Sequence, residues 1–272
     1  MKLLNKPIGL TSNEFIFHLK REKFIQNKAC YCGRLDPLAR GKMLILEGNE
    51  CKQMSNYLNN DKNYEFIIVF GISTDTDDIM GLFENNPRNF SLPMQEDIYI
   101  NKIKKALQKL QNKEYQKYHK YSSFVLRKGG KRKPLWEWEK MGQLKENEIP
   151  GKKVKIYKLK ELEKYESNLI DLIKLWMELI GNVNKRHKFR QKEIIQQYKS
   201  LIHQVQEQNK VKKENIKVLC VKYKIKVSSG FYVRQFICDL KRKIEFPLLV
   251  YDINRIGISN NKKKILYIYN EI

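Results

Sequence analysis

The residue best set for chemistry in this chain is Asp36, within Cys30–Leu46, CYCGRLDPLARGKMLIL. Pro37 fixes its own φ and disfavours helix at the residue before it, so the Asp36 carboxylate is held on a rigid, extended loop. Gly33 and Gly41 bracket that loop and permit tight turns. Carboxylates held in this way serve enzymes as bases or nucleophiles. An isolated Asp-Pro is most often only a turn. Here the rigid loop, the flanking glycines, the neighbouring arginines and the basic character of the chain together point to more.

The chain has 272 residues, with 54 Lys and Arg against 30 Asp and Glu, a formal net charge of +24. Such a balance suggests a polyanionic partner, because each Lys or Arg set on a phosphate releases counterions. A codon bias toward Lys, Asn and Ile offers a second account of the lysines, but it leaves the shortage of acidic residues unexplained, so nucleic acid is the expected partner. A hydrophobic content of 42% and an aromatic content of 11% at this length fit one large domain, or a domain with an insertion. The five cysteines, at positions 30, 32, 51, 220 and 238, include no CxxC pair and match no zinc-finger spacing. They read as reduced thiols of an intracellular protein. No apolar run reaches about 18 residues, so no membrane span is expected. The opening MKLLNKPIGLTS is too short and polar for a signal peptide.

The elements that must position Asp36 follow from periodicity. A turn at Lys6–Gly9 precedes Thr11 and Ser12, and Ser12 is the expected cap of a helix over Glu14–Lys23. Residues 43–58 read as a strand followed by a short helix. Tyr64–Ile72 is β-branched and aromatic and reads as a strand. Asp75–Gly81 follows as a loop, and residues 100–110 form a short basic amphipathic helix. Residues 219–227 alternate, with Leu219, Val221, Tyr223, Ile225 and Val227 on one face and Cys220, Lys222, Lys224 and Lys226 on the other. Period two predicts a strand with one buried and one basic face. The fold class expected is α+β, a mixed, mainly antiparallel central sheet with flanking helices.

The middle of the chain has helical period instead. Leu169, Leu172, Ile173, Trp176 and Ile180 mark one stripe; Ile194, Ile195, Tyr198, Leu201, Ile202 and Val205 mark a second. Between them lies Lys185-Arg186-His187-Lys188-Phe189-Arg190. A helical hairpin at 165–213, inserted between strands, is predicted. Packing accounts for the stripes. For the basic turn, packing and RNA contact both stay open. The carboxylates Asp75, Asp77 and Asp78 invite a metal reading, but glycine falls at position 7 of a calcium loop rather than 6, and position 12 is Asn86 rather than Glu. No metal is expected there.

The loop GRLDPLARG resembles the catalytic loop of the TruB family of pseudouridine synthases, roughly G-x-LDP-x-A-x-G. Further motifs resemble that family's in order along the chain. Lys6-Pro7-Ile8-Gly9-Leu10-Thr11-Ser12 is similar to KPxGxTS, Asp61–Glu65 to DKxYE, and Gly71–Gly81 to LGxxTDTxDxxG. Tyr121-Ser122-Ser123 with Gly130-Lys131-Arg132 is similar to YSAxKxxGxR, and Ser229–Arg234 to SxGTYIR. Together they cover about residues 1–158 and 216–257.

The resemblance implies the pseudouridine synthase fold and an isomerase acting on a uridine of structured RNA, tRNA's T-loop uridine first. It implies Asp36 as the essential aspartate, attacking the ribose or abstracting its C2′ proton so that uracil detaches and rejoins through C5. It implies Arg234 as the partner of Asp36, since a nearby cation favours a carboxylate's charged form, and Tyr64 as a residue stacked on the target base. Lys6 and Pro7 would support Tyr64, and Tyr232 and Ile253 would line the uracil site. Tyr31-Cys32-Gly33 stands where the family has His-Thr-Gly, so Tyr31 is expected to stack where that His displaces the base. Arg34 replaces a small residue, Phe231 replaces Thr, and His119-Lys120 replaces prolines.

Flipping a uridine out of its stack costs a few kcal/mol, offset by stacking and phosphate contacts. The remaining expectations are a single catalytic domain over 1–272 without the family's C-terminal PUA domain, and no cofactor or metal. RNA is the partner, no membrane is involved, and the chain works as a monomer in the cytoplasm or nucleus. A protein of another class, a catalytically inactive RNA-binding or RNA-folding protein on the same scaffold, is the alternative; the intact Asp36, Tyr64 and Arg234 argue against it.

Overall fold

Runs of β-branched and aromatic residues with period two need a sheet to cover them, and the longest of these runs form its centre. The structure, a computed structural model, describes residues 1–84, 97–184, 189–213 and 215–259. In chain order it contains β1 (Lys2–Lys6), α1 (Ser12–Arg21), β2 (Ala29–Cys32), β3 (Ala39–Glu47), α2 (Met54–Leu58), β4 (Asp61–Phe70), α3 (Asp97–Gln111), β5 (Tyr115–Lys117), β6 (Val125–Lys128) and β7 (Lys131–Pro134). Then come α4 (Leu135–Lys140), β8 (Gly151–Lys153), β9 (Ile156–Asn168), α5 (Leu169–Gly181), α6 (Gln191–Lys212), β10 (Lys217–Val227), α7 (Val233–Ile244) and β11 (Leu248–Ser259).

Among these residues a seven-stranded sheet runs β1-β3-β11-β4-β10-β9, with β2 also on β3. Every pairing in it is antiparallel except β3 with β11. This is the mixed, mainly antiparallel α+β architecture expected. One face buries Phe66, Ile68 and Phe70 of β4 and Val221, Tyr223 and Ile225 of β10 under α1, α3 and α7. Each such apolar side chain contributes about 1.5–3 kcal/mol relative to exposure.

The opposite face is covered at one end by α5 and α6. Both predicted stripes supply the contact, with Trp176, Tyr198, Ile194 and Ile173 fully buried against Val69, Val218, Cys220 and Leu249. The helices therefore lie where an insertion between β9 and β10 would put them. They also correct the reading of β10, whose second face is not basic throughout. Val218 and Cys220 lie beneath the helical pair, and only beyond them do Lys222, Lys224 and Lys226 reach solvent. Lys185, Arg186, His187 and Lys188 of the basic turn lie outside the described residues; Phe189 and Arg190 lie within them.

The start of α1 also differs from expectation. Thr11, not Ser12, is the N-cap: its hydroxyl accepts from the Glu14 amide, while the Glu14 carboxylate accepts from the Thr11 amide at 2.9 Å. This capping box sets the helix two residues early. Lys23, at φ +60°, lies beyond its end. Ser12 is thereby free for another task, described below.

The Asp75–Gly81 loop is tied to the strip after β5 through a buried pair. His119 Nε2 lies 3.0 Å from Asp77 Oδ2, and His119 Nδ1 accepts from the Tyr121 amide, so Nε2 carries the proton. Lys241 of α7 meets the other Asp77 oxygen at 2.6 Å. Burial lowers the His119 pKa below 6.5 despite the pull of Asp77.

Two stability measurements test this account. Truncating Trp176 to Ala should cost about 3–5 kcal/mol, read as a lower urea midpoint with unchanged m; a cost below 1 kcal/mol would mean that the helical pair does not pack as described. For His119, the unfolded chain takes up its proton near pH 6.5 and the folded chain resists it. Stability is therefore complete above that pH and falls below it, by at most about 1.4 kcal/mol per pH unit. His119→Gln should remove that part of the slope between pH 7 and 5 in thermal melts. An unchanged slope would show that His119 does not titrate as inferred.

Candidate active site

The loop bearing Asp36 is held from behind by groups that leave its carboxylate free. Arg255 of β11, 1% exposed, donates to the carbonyls of Gly33 at 3.1 Å, Arg34 at 3.3 Å and Lys42 at 2.5 Å. The Ser12 hydroxyl accepts from the Leu35 amide at 3.0 Å and donates to the Leu35 carbonyl at 3.1 Å. Lys6, equally buried, donates to the carbonyls of Pro7, Leu10 and Pro37. Burial, partly opposed by Asp36, lowers the Lys6 pKa to about 8. The Gly9 amide donates to the Pro37 carbonyl at 2.9 Å, and the Ala39 amide closes a turn onto the Asp36 carbonyl at 3.0 Å. Gly41 sits at φ +108°, and a Cβ there would lie 2.4 Å from the Arg255 carbonyl. Only glycine lets the loop meet β11 this closely.

The charge opposite Asp36 comes from the first turn of α7. Arg234 is 8% exposed, and its Nε donates to Asp36 Oδ2 at 2.7 Å. The same nitrogen lies 3.4 Å from Asp78 Oδ2. Burial opposes the charge of Arg234, and the carboxylates of Asp36 and Asp78 more than compensate, raising its pKa. Asp78 is fixed by the Thr76 hydroxyl at 2.7 Å and the Met80 amide at 2.9 Å. Its burial raises its pKa to about 6, with Arg234 pulling the other way. The Asp36 side chain stays 44% exposed.

That exposed side opens on a cavity of about 1080 Å³ lined by Asp36, Arg234, Tyr31, Arg34, Tyr64, Tyr232 and Ile253. Seven of the nine predicted site residues are thus brought to one cleft. Lys6 and Pro7 line no part of it; Lys6 acts as a brace behind the loop. Tyr31 donates to Asn13 at 3.0 Å, and Arg34 donates across the cleft to Ser123. Tyr232 meets Tyr118 edge-on at 5.5 Å, and Tyr118 stacks on Phe124 at 4.1 Å, giving the rim an aromatic ladder. Lys62 is a further cation on the wall; burial, with Arg255 beside it, lowers its pKa to about 8.

Four residues that hold this site were not expected from sequence to do so: Ser12, Asp78, Arg255 and His119. Asp78 stood out only as a possible metal ligand. In the fold the three carboxylates part company. Asp75 takes the Tyr121 hydroxyl and Arg190, Asp77 takes His119 and Lys241, and Asp78 takes Arg234. Two of them also accept local amides, from Leu82 and Met80. Ser12 stood out only as a helix cap, and Arg255 carried no local signal.

No helix among the described residues is long and apolar enough to cross a membrane. Residues 21–175, more than half of the chain, match the family described as TruB family pseudouridylate synthase (N terminal domain). Arg234 and α7 lie outside the matched stretch. Among curated proteins, the chain is 34% identical over 161 residues to tRNA pseudouridine synthase B of Bordetella avium, covering 59% of this chain and 61% of that one. It is 31% identical over 170 residues to the protein of the same name from Endomicrobium trichonymphae, covering 62% and 67%. The chain thus matches somewhat under two thirds of the first relative's length. A solved Cbf5-Nop10-Gar1 complex aligns with 94% of this chain and 48% of that chain at 15% identity and a TM-score of 0.48, a likeness too weak to add weight. With the Asp36 loop inside the matched stretch, the chain belongs to the TruB family of pseudouridylate synthases.

Proposed function

We propose that this chain is an RNA pseudouridine synthase that isomerises a uridine of structured RNA, the T-loop uridine of tRNA, with Asp36 as its catalytic carboxylate. The observation that carries the reading is a half-exposed aspartate bonded at 2.7 Å to a buried arginine, on the wall of a cavity that also holds Tyr64. The family and the names of its relatives support it, as does the net charge of +24. An enzyme on that substrate works inside the cell, in the cytoplasm or nucleus. The chain is read as one catalytic domain interrupted by a helical insertion, which begins after β9 ends at Asn168 rather than at residue 165.

The reaction adds and removes nothing overall. The bond between uracil and C1′ breaks, the base turns, C5 bonds to C1′, and the C5 proton is released while N1 gains one. Asp36 starts it by attack on the ribose or by abstraction of the C2′ proton. Arg234 orients the carboxylate through one N–H, and a charge-assisted bond of this kind is about twice as strong as a neutral one. Tyr64, 7% exposed, offers its ring to the base and its hydroxyl near C5. Tyr31, Arg34, Tyr232 and Ile253 shape the space around the base, Lys6 holds the loop through Pro37, and the Pro7 carbonyl holds Lys6. Asp78 is a positioning residue, acting through Arg234.

Release of tritium from C5-labelled tRNA transcript tests the proposal. Wild type should release tritium and Asp36→Asn should not; no release from wild type on any structured RNA would sink the enzyme, and equal release from Asp36→Asn would sink the role of Asp36. Asp78→Asn should lower kcat by about 10²-fold through misplacement of Arg234, with KM changed much less. Because the Asp78 pKa lies at about 6, its charge is present above that pH and lost below it. Wild-type kcat should therefore fall on the acid side of about pH 6, and Asp78→Asn should lack that limb. An unchanged limb in the variant would remove Asp78 from the scheme.

A further inference from the structure

The helical pair α5–α6 packs on the sheet, but its connecting end reaches the site. The Asn182 carbonyl lies 3.3 Å from where a Cβ on Gly9 would stand. Asn184 donates to the Glu14 carboxylate at 2.7 Å. Arg190 pairs with Asp75 at 2.8 Å, and its guanidinium lies 5.3 Å from the centre of the Tyr121 ring. The insertion therefore touches the turn behind Asp36, the cap of α1, and the loop that carries Asp78.

There it closes a second cavity, of about 530 Å³, which meets the first at Asp36, Arg34, Tyr31 and Arg234. Its own walls are the rings of Tyr121, Trp136 and Phe189, with the cations Lys140 and Arg190 among them. Lys140 lies 5.3 Å from the Trp136 ring. Burial and the nearby Arg190 lower the Lys140 pKa, against the pull of Glu193. Flat rings suit a base of any identity, and paired cations beside them suit its phosphate. The volume lies within the range of about 300–1,000 Å³ typical of ligand sites.

We propose that this second cavity takes an unstacked nucleotide adjoining the target uridine, its base against Tyr121, Trp136 and Phe189 and its phosphate between Lys140 and Arg190. The insertion completes the pocket by supplying Phe189 and Arg190, just before α6. The inference rests on the reading of this chain as an enzyme of structured RNA. A carboxylate where two cavities meet suits a strand that enters with two bases unstacked, one into each.

Equilibrium binding tests this independently of catalysis. A fluorescent tRNA T-arm hairpin is titrated by anisotropy, intact or with the nucleotide on either side of the target uridine made abasic. For wild type, one of the two abasic hairpins should bind about tenfold more weakly, the loss of one stacked base at roughly 1.4 kcal/mol. Phe189→Ala and Trp136→Ala should bind the intact hairpin about tenfold more weakly and lose little more with that abasic hairpin. Lys140→Gln should reduce the slope of log K against log salt by about one.

Losses that multiply, or variants that bind as wild type does, would overturn the proposal. Trp136→Ala lies outside the insertion, so a folding defect from Phe189→Ala would not obscure the result. The two readings part cleanly. Binding that follows this pattern without tritium release from wild type removes the isomerase and keeps the subsite; tritium release with Kd values unmoved removes the subsite and keeps the isomerase.

Discussion

A guanidinium buried at the head of α7 is the constraint from which the rest of the site follows. Arg234 cannot lie at 8% exposure without negative partners, because an unpaired buried charge costs several kcal/mol. Two loops supply those partners, Asp36 from one side and Asp78 from the other. Neither loop has regular structure to hold it, so each is clamped from behind. Arg255, Lys6 and Ser12 fill the carbonyls and amide of the first; Thr76, Met80 and His119 order the second. The braces of the first loop donate to backbone carbonyls, which leaves the Asp36 carboxylate to Arg234; those of the second hold one oxygen of Asp78 and leave the other facing Arg234. One cation thus fixes the angle between two loops and a helix, and the cleft is the space left between them.

The elements were largely legible in the sequence because their causes are local. Strict alternation at 219–227 and the stripes at 169–180 and 194–205 report burial directly, and the fold buries them, Ile195 and Ile202 only in part. What local pattern missed depends on partners far away in sequence. Ser12 reads as a cap, since its neighbours look like a helix start, yet it serves Leu35 while Thr11 caps. Asp75, Asp77 and Asp78 are adjacent in sequence and look like one ligand set, but three directions of approach give them three different cations. Arg255 is buried for a loop more than two hundred residues earlier, and nothing in its own surroundings announces this. Cys220 falls on the face that reads as basic, and only the placement of α5 over that end of β10 shows why it is buried.

The residues that depart from the family's pattern cluster where the chain's own additions meet the cleft. Tyr31 stands at the wall and is held by Asn13. Arg34 spans the cleft to Ser123, in the block that reads YSS rather than YSA. His119, where prolines are usual, replaces a stiff backbone with a buried hydrogen-bonded pair to Asp77. Arg190 then reaches the same loop through Asp75. Position by position these look like unrelated substitutions. In space they lie along the two loops that meet at Arg234, and each is held by a polar contact.

The place of α5 and α6 has a kinetic consequence. β9 and β10 are neighbours in the sheet, so residues 169–216 form the connection of what would otherwise be a simple hairpin. Closing a flexible loop of that length instead of a short turn costs about 2 kcal/mol more in chain entropy. The cost is avoided if the two helices associate first, since a helical hairpin makes mostly local contacts and brings Asn168 and Lys217 together as it forms. The edge of the sheet then assembles on a folded spacer rather than across an open coil. Helices that associate before the edge strand would let so long an interruption sit between paired strands without slowing their pairing.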